Sequence, residues 1–198
     1  MTGFLLHFII PILFLNTAVA ECPDHTWKEF ARPNNRDNNT DLKVCLKYYS
    51  WDSRDRNAAD PMGTCYEQDA YLSSFGTQED FDWQKQEHNA HHSGYAMLTG
   101  AYRRKGCLRG IKDYDASNPC HNRKHMIVWS DPFTLPDFLG DGYWVNENEP
   151  NGWVGSVPED CIQLSPWGLN DNICPNYPPH TEGIEYNNQG FFCMKVSE

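Results

Sequence analysis

The chain has 198 residues, a formal net charge of -11 and a mean hydropathy of -0.69. That charge argues against nucleic acid, whose phosphates require a cationic partner, and against anionic membrane surfaces; it is otherwise the charge of a well-solvated protein. The length suits one domain once a leader is removed, and after residue 20 no apolar run is long enough to span a bilayer.

Residues 1–20, MTGFLLHFIIPILFLNTAVA, join an apolar run to the small-x-small end Ala18-Val19-Ala20. This is the pattern of a secretory signal peptide cleaved before Glu21, although its amino end carries no Lys or Arg. Residues 21–198 then form a single secreted domain. Two apolar-aromatic pieces flank the turn-rich NNRDNNT, which predicts a hairpin, and Asn38-Asn39-Thr40 within it is a glycosylation sequon. Asp60 can cap a helix with Pro61 at its first position, and Met62, Cys65, Tyr66 and Asp69 follow at helical spacing, so Cys65 faces inward. Thr77-Gln78-Glu79-Asp80 has the form of a capping box leading into FDWQKQEHNAHH. YAMLTGAY and HMIVWSD read as strands. From residue 130 Gly, Pro, Asn and Asp are dense and regular structure is expected to be sparse, until GFFCMKV gives a buried strand carrying Cys193. The organisation is two helices early, strands late and a long irregular loop.

The cysteines are Cys22, Cys45, Cys65, Cys107, Cys120, Cys161, Cys174 and Cys193. An even number spread along a secreted chain reads as disulfides. Zinc would favour close Cys-x-x-Cys pairs, and there are none. Sequence alone leaves the connectivity open.

Two stretches share an unusual chemistry. ENEPNGWVGSVPEDC (147–161) and LNDNIC (169–174) each bring side-chain oxygens close to a cysteine. Glu149, Asn151, Glu159, Asn170 and Asp171 offer a metal only oxygen, the preference of hard cations, and Ca2+ takes about six to eight such ligands. Zn2+ and Cu2+ would prefer His or Cys, and Mg2+ tends to keep its waters and use fewer protein ligands. A metal or a disulfide would also order a loop whose residues otherwise lose roughly 1–2 kcal/mol of backbone entropy each. The plainer alternative is that Asn, Asp and Glu are what exposed loops contain.

These residues resemble a C-type lectin-like domain in its long form, from about Cys22 to Cys193. The most specific parts are Glu149-Pro150-Asn151, Glu159-Asp160-Cys161, Leu169-Asn170-Asp171-Asn172-Ile173-Cys174 and Phe192-Cys193. Cys65, Leu72-Ser73-Ser74-Phe75, Gln78-Glu79-Asp80 and Val128-Trp129-Ser130-Asp131 support them, and the added pair Cys107 and Cys120 is similar to nematode-type members. The resemblance implies an α+β double-loop fold with two helices, small antiparallel sheets, a long irregular calcium-binding loop and four disulfides: Cys22–Cys45, Cys65–Cys193, Cys107–Cys120 and Cys161–Cys174. It implies Ca2+ held by Glu149, Asn151, Glu159, Asn170 and Asp171, with the Asp171 carbonyl added and a cis Glu149–Pro150 bond. Two vicinal sugar hydroxyls would complete the coordination, each giving its proton to a carboxylate and accepting from an amide. The Glu-Pro-Asn order goes in the family with mannose-type sugars (mannose, N-acetylglucosamine, glucose, fucose). Weak single-site contacts would make oligomers useful for avidity. The chain departs from the family at Leu169, where Trp is usual, in a longer interval from Asn151 to Glu159, and at Gly152, where several members place an acid serving a second calcium; Asp160 could contribute there.

Other features have bland readings. Trp144, Trp153 and Trp167 could stack on a sugar, but tryptophans are normally core. His88, His91 and His92 share a helix face and could hold a metal, yet read more simply as a solvated helix end titrating near neutrality. Arg103-Arg104-Lys105 and Arg109 form a small basic patch expected to make surface ion pairs. No nucleophile motif or phosphate loop appears, so an enzyme is not expected; Glu149 and Glu159 resemble a glycosidase pair but are committed to metal. The alternative function is a protein-binding domain of the same fold with calcium purely structural.

Overall fold

The computed structural model describes residues 21–34, 41–52, 60–107, 109–110, 117–174 and 188–197. The leader (1–20) and the sequon at Asn38 lie outside them. In chain order the elements are β1 (Lys28–Pro33), β2 (Asp41–Asp52), α1 (Pro61–Tyr66), β3 (Tyr71–Leu72), α2 (Gln78–His92), β4 (Ala96–Arg103), α3 (Arg123–Met126), β5 (Ile127–Trp129), β6 (Trp153–Val154), β7 (Val157–Pro158), β8 (Cys161–Ser165), β9 (Gly168–Asn172) and β10 (Asn188–Val196).

Local chemistry sets the helix starts as expected. The Asp60 side chain accepts from Met62 N ahead of Pro61. Thr77 Oγ1 accepts from Asp80 N at 3.2 Å while Thr77 N donates back to Asp80 Oδ2 at 2.9 Å, a closed capping box. The two early helices are joined by a third of one turn, α3, capped by Asn122.

β1 and β2 pair antiparallel across the expected hairpin. The main sheet runs β1-β2-β10-β4-β8-β9, with β3 on β10 and β5 on β4, and β6 pairs with β7 separately. The sheet is mixed, because β10 lies parallel to β4 (Asn188 opposite Ala96, Phe191 opposite Leu98). Residues 153–172, expected to be largely irregular, instead hold four strands. Ile162, Leu164, Leu169 and Asp171 are all buried and lie in register across β8 and β9. The apolar pair Leu164–Leu169 and the burial of Ile162 opposite Asp171 outweigh the poor strand preference of Asn and Asp, since strand preference follows packing and burial.

β10 divides the core by its two-residue period. Phe192 and Met194 face a large cluster with Phe30, Val44, Leu46, Phe75, Phe81 and Met97. Phe191 and Cys193 face a smaller one with Trp27, Cys45, Cys65 and Leu98. All four disulfides implied by the resemblance are present: Cys22–Cys45, Cys65–Cys193, Cys107–Cys120 and Cys161–Cys174.

One core feature had no sequence expectation. Arg32 is 2 % exposed; its Nε donates to Asp80 Oδ2 at 2.7 Å, its Nη1 to Ser74 Oγ at 3.0 Å and its Nη2 to Ser74 O at 2.8 Å. Gly76 makes room for it, since a Cβ there would lie 2.3 Å from Arg32 Cδ.

Candidate functional site

The long loop is fixed near its start by two main-chain bonds to β9. Leu169 N donates to Tyr143 O at 2.7 Å, and Val145 N donates to Leu169 O at 2.9 Å. β9 is the sheet edge, and the outward-facing N–H and C=O of Leu169 recur two residues later. The main chain of Asp171 therefore faces the same edge as the loop. Leu169, where Trp is usual, is fully buried and serves packing.

Arg123 of α3 holds the next turn: its Nε donates to Glu149 O at 2.8 Å, its Nη2 to Glu147 O, and its Nη1 pairs with Asp141. The Glu149–Pro150 peptide is cis. Asn151 follows with its Nδ2 donating to Glu149 Oε1 and Oε2 at 3.0 and 2.9 Å, and its N to Oε2 at 3.0 Å. Asn151 Oδ1 accepts from Trp153 N at 2.8 Å. Gly152 then closes the loop onto the sheet. It has φ +85°, its N–H donates to Asp171 Oδ2, and its carbonyl accepts from Glu159 N at 2.9 Å. A Cβ at Gly152 would sit 2.6 Å from Arg109 Cβ, so only glycine combines this φ with this approach.

Glu149, Asn151, Glu159 and Asp171 thus come together. Burial first, then a hydrogen bond shared with Glu149 and the charges of Glu149 and Glu159, push the Asp171 carboxyl up to about 8. Burial and then the Glu149 charge push Glu159 up to about 7, against the pull of Arg103. Asn170 adjoins Asp171 and is half-buried, paired with Gln163 on the β8–β9 ladder, where side chains alternate between faces.

The basic run behaves differently from a solvated patch. Arg103 is buried at the end of β4, with Nη2 3.3 Å from Asp171 Oδ2 and Nε 3.3 Å from Asp160 Oδ1. Arg109 grips Asp160 with Nε at 2.8 Å and with Nη2, and its guanidinium lies 5.2 Å over the Trp153 ring. Both Asp160 oxygens are therefore taken by Arg109, with Arg103 beside them as an ion pair without a hydrogen bond. Arg104 and Lys105 are exposed.

With Glu149 and Asp171 both ionised, the buried Asp171 Oδ1 has no hydrogen-bond donor among the described residues. Its carboxyl faces that of Glu149, an acceptor when ionised. With all four carboxylates (Glu149, Glu159, Asp160, Asp171) ionised, two guanidiniums (Arg103, Arg109) leave two negative charges uncompensated, and the raised Glu159 and Asp171 carboxyls hold protons in place of that charge at lower pH. Among the described residues no group of three or more His, Cys, Asp or Glu side chains is placed to hold a metal ion by itself. By its chemistry the donor set suits an oxygen-seeking divalent ion, in charge when ionised and in its orphaned oxygen, and carbonyl and amide oxygens would have to complete the shell.

Sequence reasoning missed Arg103, Arg123 and the contact role of Gly152. Arg103 carried no local signal: β4 is buried at every position from Ala96 to Ala101, so parity along the strand does not mark Arg103 as internal. Of the tryptophans, Trp144 is core, donating Nε1 to Leu139 O at 3.0 Å, whereas Trp153 and Trp167 are 42 % and 81 % exposed. The histidine face is less solvated than expected. His88 is buried, with Nε2 3.1 Å from Tyr95 O, while His91 stacks on Tyr48 and His92 lies 2.9 Å from Ser50 Oγ.

A family model described as C-type lectin domain-containing protein 141/158 matches residues 29–196. Among solved structures, C-type lectin CEL-I from Cucumaria echinata is similar at 13% identity and TM-score 0.54, covering 90% of this chain and 99% of that one. The carbohydrate-recognition domain of mouse scavenger receptor C-type lectin matches at 17% identity and TM-score 0.50, covering 90% and 100%. The cow carbohydrate-recognition domain of CD23, solved in the presence of a GlcNAc2Man3 oligosaccharide, matches at 15% and 0.50, covering 90% and 98%. At such identities these likenesses show the fold alone. No curated protein matches the sequence significantly.

Proposed function

The chain belongs to the C-type lectin domain family, and from that premise we propose that it is a secreted, Ca2+-dependent carbohydrate-binding protein of mannose-type preference. The observation that carries this reading is the meeting of Glu149, Asn151 and Asp171 beside a buried oxygen with no donor, in a cluster that is two negative charges from neutrality when its carboxylates are ionised. In this reading Glu149, Asn151, Glu159, Asn170 and Asp171 hold the ion, with the edge-facing carbonyl of Asp171. When bound, the ion supplies open coordination positions for two vicinal sugar hydroxyls. The chain's own part is to orient them: carboxylates accept the hydroxyl protons and the Asn151 amide donates. Without an ion that amide is spent on Glu149, which keeps the pair in place.

The leader at 1–20 and a single domain over 21–198 belong to the same proposal, as does assembly into oligomers for avidity. Among the described residues no helix is long and apolar enough to cross a membrane. The family is one of binding proteins, and nothing in the site supplies a free nucleophile; the described residues include no free cysteine.

The test is retention of the secreted protein on mannose-agarose, with and without EGTA. Retention lost on chelation supports the reading. Retention on neither mannose- nor galactose-agarose, together with calcium-independent capture of a protein partner, overturns it. The paired substitution Glu149→Gln with Asn151→Asp should move preference toward galactose.

A further inference from the structure

We propose that Arg103 is a resident cation of this site: its guanidinium supplies charge that a second metal ion would otherwise bring, and it sets the affinity for the single divalent ion the site then takes. The inference rests on the calcium reading above and deepens it. Three observations point to it. The Arg103 side chain is 3 % exposed and spans two carboxylates, reaching Asp160 Oδ1 and Asp171 Oδ2 at 3.3 Å each. Its backbone is pinned to the same segment, since Arg103 N donates to Asp160 O at 2.7 Å. The loop is shaped around it, because a Cβ on Gly152 would meet Arg103 Nη2 at 3.0 Å.

The division of labour on Asp171 follows. Oδ2 serves the protein, taking Gly152 N–H and Arg103, while Oδ1 has no donor and is left for an ion. Asp160 has both oxygens held by Arg109 and a second positive charge, Arg103, 3.3 Å away, which takes it from a second cation. Once Glu149, Glu159, Asp160 and Asp171 are all ionised, two negative charges remain beyond the two arginines, enough for one divalent ion. Arg103 must also repel that ion, since a fixed positive charge within a few ångströms of shared carboxylates opposes it through a poorly screened medium. The site is thus held together when empty, at the expense of weaker metal binding.

The experiment is calorimetric titration with Ca2+ alone, together with thermal unfolding with and without Ca2+, on the secreted chain and on Arg103→Lys and Arg103→Gln. The native chain should take one Ca2+. Arg103→Lys keeps the charge and should stay within about threefold of native affinity. Arg103→Gln keeps a donor but removes the charge, and should bind Ca2+ about tenfold more tightly or better. Its metal-free Tm should fall below native, and added Ca2+ should restore most of the difference. A merely structural role would lower Tm equally in both conditions and leave affinity unchanged or weakened, which would overturn the proposal. A second Ca2+ equivalent on the native chain would overturn it as well, without need of any variant. Native protein that takes no Ca2+ sinks the calcium reading and this one with it, whereas native binding with an indifferent Arg103→Gln sinks this one alone.

Discussion

Asp80 shows how much one side chain can carry. Its carboxylate closes the capping box of α2 and meets Arg32 in the core, with both residues almost wholly buried. Burial raises the Asp80 carboxyl, and Arg32, Thr77 and Gly76 act against that. The sequence discloses the first role, because Thr-x-x-Asp ahead of an apolar run is a local signal. It conceals the second, because Arg32 lies 48 residues away and nothing local marks a charged residue as internal. Removing one member of such a pair leaves an unpaired buried charge, at about 3–5 kcal/mol. Asp80→Ala should therefore lower unfolding stability by that amount in urea. Arg32→Met with Asp80→Leu should lose clearly less, since it removes both charges. A double variant as unstable as the single would show that shape, not charge, is at stake.

At the scale of elements, legibility follows range. The capped helices, the first hairpin and the buried last strand rest on signals a few residues long, and the structure has them. The β8–β9 hairpin was not seen, because Leu169-Asn170-Asp171-Asn172 looks like loop until Ile162 and Leu164 face it. The same hairpin explains half the site: it puts Asp171 under the loop and leaves Asn170 at the adjacent register. The disulfides divide in the same way. Cys161–Cys174 closes 13 residues and Cys65–Cys193 closes 128. On the chain-entropy view the first is worth about 3 kcal/mol and the second between about 4 and 5. Replacing Cys161 and Cys174 together by Ser should lower stability by the smaller amount. It should also raise hydrogen exchange in 168–173 and weaken calcium binding, whereas replacing Cys65 and Cys193 should cost more and act on the whole domain. Equal losses from both pairs, with exchange unchanged around Asp171, would count against a local clamp.

For the molecule as a whole the acid cluster dictates how stability follows pH. Glu159 titrates near 7 and Asp171 near 8 when folded, against ordinary values of 4.5 and 3.8. Below the ordinary range both groups are protonated in the folded and unfolded chain alike, and contribute nothing. As pH rises past it the unfolded chain releases protons that the folded chain keeps, so stability falls until the folded groups also ionise near pH 7–8. His88 works the other way. Its burial holds the imidazole below the ordinary 6.5, so it favours folding as pH rises, but only up to that value. The interval from about 6.5 to 8 is left to the two carboxylates, and the chelated protein should lose stability across it. On the calcium reading proposed above, the ion should reverse the sign. The ion needs both groups ionised and competes with their protons, so affinity should climb over the same interval and fall on acidification, releasing sugar. Urea midpoints at pH 6.5 and 8, in EGTA and in excess Ca2+, check both halves: the gap between the two curves must widen with pH. A chelated chain that grows more stable above pH 6.5 would mean that Glu159 and Asp171 are already ionised there, and that Arg103 compensates the cluster without help from an ion.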